Sequence, residues 1–231
     1  MADADDPLSR PDRTSTLEAG LHAVAAPIAE LITGRHRRGA ASAVVEANAR
    51  LTSTTGIVLL VLLAAEGVTI LSIRRLLPLH YFIGLLLIPP VVLKLASTGW
   101  RFAHYYLGSR DYRVAGPPAP VLRLLGPLVV ISTIVVLATG VELWLFGFRF
   151  GDGWLTAHKA SFVIWLGAMA IHVIGHLERA PALALRDLVN RPRLAGQTTR
   201  QAWIAGSLVM GAVLAASIFV VQSPFVVPFD R

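Results

Sequence analysis

Cysteine is absent from all 231 residues. That absence removes disulfides, thiolate metal sites, cysteine-held iron–sulfur clusters and a covalently attached CxxCH haem, so any redox metal must rest on histidine or carboxylate. Charge is also scarce: 15% of residues are Asp, Glu, Lys or Arg against 55% hydrophobic, with a mean hydropathy of +0.63. Nucleotide-binding and flavin motifs are missing as well. What remains is a set of apolar runs of about 20 residues or more, the length a membrane-crossing helix requires. They lie at roughly 54–73, 76–97, 122–147, 154–177 and 202–222. The expected fold is an all-α integral membrane protein with five transmembrane helices and a core four-helix bundle.

The net charge of +7 does not imply nucleic acid, because the cations fall where the positive-inside rule puts them. Fifteen arginines lie in the tail and loops on the amino-terminal side, among them Arg35, Arg50, Arg101, Arg123 and Arg200. The other side carries five cations: Arg74, Arg75, Arg149, Lys159 and Arg231. This places the amino terminus in the cytoplasm. The polar, acidic opening MADADDPLSR is no cleavable signal peptide.

Four regions follow. Residues 1–49 form a cytoplasmic tail, in which Ser15 and Glu18 have capping-box spacing; the segment from there, kinked or divided at Pro27 and followed by the basic cluster Arg35, His36, Arg37, Arg38, is read either as an interfacial helix on anionic lipid or as a flexible tail with weak helical tendency. His22 and His36 are read as solvated. Residues 50–178 form the four-helix bundle, 179–201 a polar, basic cytoplasmic linker, and 202–231 the fifth helix with an outer tail. Gly206, Ser207, Gly211, Ala212, Ala215 and Ala216 give that last helix a small-residue surface for close packing.

The chemistry concentrates in Trp154 to Leu177, where His158, His172 and His176 interrupt an apolar span. Ionisable groups are costly in hydrocarbon and mark function there. Fourteen residues separate His158 from His172, which brings them within about 40° of one helical face and about 21 Å apart along the axis. The second span repeats the interval with His80 and Lys94. Both spans run from outside to inside, so His80 and His158 begin their helices at matching outer depth. Two neutral imidazoles meeting an iron from opposite faces make a six-coordinate b-type haem. Gly84, one turn after His80, lets a flat ligand or a neighbouring helix come close. Pro89 and Pro90 are expected to interrupt the helix and free the carbonyls of Leu85 and Leu86.

LHYFIG in the second span together with AHKASFVIWLGAMAIHVIGHL in the fourth resembles the bacterial di-haem cytochrome b family, which includes membrane subunits of formate dehydrogenases and nickel-iron hydrogenases. The resemblance covers about residues 50 to 180. It implies that His80 and His158 hold an outer haem, that His172 is one ligand of an inner haem, and that the protein works in a bacterial plasma membrane beside an oxidoreductase partner and a quinone. In that family the second inner ligand lies at the start of the first span. Here the stretch reads Arg50, Leu51, Thr52, Ser53, Thr54, Thr55, with no histidine. His104 and His176 are the available substitutes. His104, 24 residues after His80, lies about 120° off its face on an unbroken helix. One haem b is expected, and a second is left open.

Glu66 and Glu142 sit at outer-half depth. They are read first as salt-bridge partners of Arg74, Arg75 and Lys159, and alternatively as proton groups beside a quinone. Two rival functions accompany the cytochrome reading. One is a haem-free membrane anchor or assembly subunit; the other is a small transporter using Glu66, Lys94 and Glu142, against which the lack of an inverted repeat counts.

Overall fold

The computed structural model of the chain describes residues 42–116, 120–177, 179–189 and 195–219. The expectations about Ser15, Glu18, His22, Pro27 and His36 lie outside those residues. The described residues form seven helices and no strand: α1 (Ala43–Leu71), α2 (Ile73–Tyr106), α3 (Arg110–Val114), α4 (Pro120–Phe146), α5 (Gly153–His176), α6 (Arg179–Val189) and α7 (Gln197–Phe219). Four of them, α1, α2, α4 and α5, are long and apolar enough to cross a membrane. The chain therefore has the helices of a multi-pass membrane protein.

Burial follows the logic of lipid rather than water. Among the most completely buried side chains are Thr54, Thr55 and Thr69, whereas Val61, Val163, Ile164 and Val209 face outward. In hydrocarbon an outward leucine or valine costs nothing, and helices associate through close packing and interhelical hydrogen bonds.

Two antiparallel hairpins result. In the first, α1 and α2 are separated by Ser72 alone. Asn48 and Thr52 bond to Ser97 at one end, and Thr69 reaches His80 at the other. In the second, α4 and α5 are joined by the turn around Gly147 and Gly151, whose φ of 57° and 86° suit glycine. Trp165 Nε1–H donates to Thr133 Oγ1 at 3.0 Å, and Thr139 meets His158 nearer the turn. The hairpins touch chiefly where α2 meets α4, while α7 packs along α2 and α6 against α1.

The first helix begins at Ala43, capped by Ser42, so it starts inside the stretch read as tail. Likewise the expected linker contains α6. Its Asp187 is fully buried and pairs with Arg200 of α7, and Gln197 and Gln201 donate to the Asp187 carbonyl at 2.5 and 3.1 Å.

The expected break at Pro89 and Pro90 does not occur, because α2 runs through both prolines. A neighbouring helix deals with one freed carbonyl. Pro90 cannot donate to Leu86, and Gly211 of α7 lies so close to that carbonyl that a methyl group at position 211 would collide with it. The small-residue face of α7 thus covers the backbone oxygen that the proline exposes.

Candidate functional site

At one end of the bundle, His80 of α2 and His158 of α5 face each other across the gap between the hairpins. Their ring centroids are 6.4 Å apart and the planes are inclined at 85°. An imidazole nitrogen binds a transition metal at about 2 Å and lies about 1.1 Å from its ring centre, so two rings on opposite sides of one metal have centroids about 6 Å apart. The observed spacing suits that arrangement.

Hydrogen bonds fix the tautomer of each ring. Thr69 Oγ1 donates to the Glu66 carbonyl at 2.5 Å, which uses its only hydrogen, so toward His80 Nδ1 at 2.8 Å it accepts. His80 therefore carries its proton on Nδ1, and Glu66 Oε1 shares that N–H at 3.0 Å. On the other side, Thr139 Oγ1 donates to the carbonyls of Val135 and Val136 at 2.8 and 3.1 Å. It accepts from His158 Nδ1 at 3.0 Å. Each histidine keeps an Nε2 lone pair, and each is oriented by the preceding helix of its own hairpin, as metal-binding imidazoles are.

Two glycines border the rings. A methyl group at position 140 would lie 3.2 Å from His158 Cε1, so a side chain there would push the ring by a few tenths of an ångström. A methyl group at Gly84 would meet Glu66 Oε1 at 3.6 Å, an ordinary contact. Gly84 thus borders the carboxylate beside His80.

Glu66 differs from the salt-bridge reading: its partner is His80, and among the described residues no Lys or Arg is ion-paired with it. Glu142, one turn beyond Thr139, is buried with neither carboxylate oxygen hydrogen-bonded among the described residues.

The other end of the bundle is built differently. Lys94 Nζ donates to the Thr52 carbonyl at 2.6 Å, folding over Gly56, where a methyl group would come within 2.9 Å of it. His172 and His176 stack obliquely on α5 with centroids 4.7 Å apart, and His172 Nδ1 is buried without a partner. Both lie within electrostatic reach of Lys94. His104 stands elsewhere. Its Nδ1–H donates to the Trp100 carbonyl at 2.9 Å, and its ring stacks on Trp100 at 4.1 Å beside Tyr112.

Of the six residues singled out in the sequence, the fold brings together His80 and His158 with Gly84 nearby, gathers His172 and His176 at the Lys94 end, and sets His104 against Trp100 and Tyr112. Thr69, Thr139 and Gly140 were missed. The only signal for the threonines was a hydroxyl within an apolar span.

The chain matches no protein-family model, no curated protein and no solved structure. The chemistry of the donor set is the remaining guide. Among the described residues no three of His, Asp or Glu converge to hold a bare metal ion. Two facing imidazoles suit a metal that brings its own equatorial ligands. Histidine pairs of this kind fit a non-covalent haem, and the cysteine-free sequence agrees with it.

Proposed function

We propose that this chain is a membrane b-type cytochrome that passes single electrons between a partner oxidoreductase and the quinone pool of a bacterial plasma membrane, holding one haem b between His80 and His158. One observation carries the reading: two imidazoles 6.4 Å apart, each with Nδ1–H committed to a neighbouring acceptor. A haem-free anchor needs no such pair. Its interhelical bonds would be complete within each hairpin, and nothing would call for two imidazoles from different hairpins to meet at this distance.

In this reading, bound haem supplies reversible one-electron chemistry, and the protein supplies ligation, burial and orientation. His80 and His158 would hold it. Thr69, Glu66 and Thr139 hold their rings in place, and Gly140 borders the His158 ring. The second haem suggested by the family resemblance has no place in this proposal. Opposite His172 stands Lys94, whose ammonium has no lone pair to offer and already donates to Thr52. His104 is committed to Trp100.

The proposal takes α7 as a fifth transmembrane span and the amino terminus as cytoplasmic, on the fifteen-to-five distribution of cations. Reporter fusions after residues 75, 115, 150 and 195 test that topology.

The deciding experiment is the dithionite-reduced minus oxidised spectrum of the purified full chain, with haem quantified per chain, on wild type and His158→Ala. The expected result is sharp b-type bands at one haem per chain in the wild type and none in the variant. A featureless wild-type spectrum from protein made with ample haem supports the anchor instead.

A further inference from the structure

The two proposed ligands are not equivalent. His158 Nδ1–H rests on neutral acceptors, the Thr139 hydroxyl and the backbone carbonyl of Val136. His80 Nδ1–H rests on a hydroxyl and a carboxylate together, Thr69 Oγ1 at 2.8 Å and Glu66 Oε1 at 3.0 Å. Among the described residues nothing neutralises that carboxylate: no cation is ion-paired with it, and Oε2 is buried without a hydrogen bond. Gly84 runs alongside Oε1, at a distance that would be ordinary contact for a methyl group.

A carboxylate on the far nitrogen of a metal-bound imidazole draws the N–H proton toward itself and makes the ring a stronger electron donor. Stronger donation, with a negative charge nearby in a low-dielectric setting, favours the oxidised iron over the reduced one. A hydroxyl orients the ring with a much weaker effect on its donor strength.

We propose that Glu66 is the positioning residue that sets the redox potential of the site, acting through His80 to hold it low, while Thr139 only orients His158. This rests on the cytochrome reading above. The couple concerned is the transfer of one electron to the haem iron, with no atom exchanged. The sequence reading gave Glu66 no such role, having paired it with arginines.

The test is an anaerobic potentiometric titration of the full-length protein with dithionite and mediators, on wild type, Glu66→Gln, Thr139→Val and Glu142→Gln. Glutamine keeps an acceptor for the N–H and removes the charge. Glu66→Gln is expected to keep one haem per chain and to raise the ratio of reduced to oxidised protein at a given poise about tenfold, a rise of about 59 mV for one electron. Thr139→Val and Glu142→Gln are expected to shift the ratio less than threefold. Glu66→Gln titrating with the wild type, or all three variants shifting equally, overturns the proposal. If Glu66→Gln loses its haem, Thr69→Val decides. Removing the competing hydroxyl leaves the N–H to the carboxylate alone, so a fall in potential upholds the assignment, and an unchanged or higher potential overturns it. A wild type without haem instead defeats the cytochrome reading itself and is told apart by its missing bands.

Discussion

The two ends of the bundle use the same spacing and reach different chemistry. Each of α2 and α5 places an ionisable group, then another 14 residues on: His80 and Lys94, His158 and His172. At the His80 end both groups are imidazoles, both have Nδ1 occupied, and a glycine borders one of them. At the Lys94 end one imidazole faces an ammonium that is already bound to the Thr52 carbonyl. In the cytochrome reading, then, spacing alone does not make a metal site. A lone pair must remain on both sides, and a neighbouring group must fix each ring.

The sharpest way to break the comparison is to remove one histidine from each end. His80→Ala is expected to abolish the haem spectrum, and His172→Ala to leave haem content at the wild-type value; equal losses would mean that the Lys94 end also binds. Asp187→Asn comes next. It removes one charge from a pair in which Asp187 has no exposure and Arg200 very little, and breaking such a pair costs about 3–5 kcal/mol. Thermal unfolding in detergent is expected to show this loss while the His80 end, in protein that remains folded, keeps its spectrum. Smaller effects come from the two glycines. Gly140→Val pushes the His158 ring and is expected to weaken haem retention about tenfold, the lower range for disturbing a ligand's support; haem transfer to apomyoglobin measures it. Gly84→Ala, with its methyl group at 3.6 Å from the nearest atom, is expected to keep its haem and gain up to about 1 kcal/mol from helix propensity. A Gly84→Ala loss as large as that of Gly140→Val would show that position 84 also borders the space between the proposed ligands.

Four of the five expected spans were legible because a helix in lipid must be long and apolar, and both properties are local. The pairing of His80 with His158 was legible from depth, since α2 and α5 run in the same direction. What surrounds these residues was not legible. Thr69 and Thr139 look like ordinary helix residues until their hydroxyl hydrogens are followed to carbonyls one turn back. The partner of Glu66 was misread because arginines lie close in sequence, whereas the His80 ring lies close in space. The unbroken path of α2 through Pro89 and Pro90 packs its Leu86 carbonyl against Gly211, far along the chain, and no local rule for proline contains that contact. Similarly, the Asp187–Arg200 pair joins two segments that composition alone reads as a linker and the start of a span.

The turn at Ser72 has a consequence for how the protein is assembled. His80 and the two groups that orient it lie within residues 66–80, on either side of a single non-helical residue. Thr139 and His158 are similarly close along the chain. Each half of the site is therefore a local product of one hairpin and is complete once that hairpin has entered the membrane. Contacts between near neighbours in sequence form early. The slow, long-range step is then the meeting of two finished halves, and in the cytochrome reading haem is the piece that joins them.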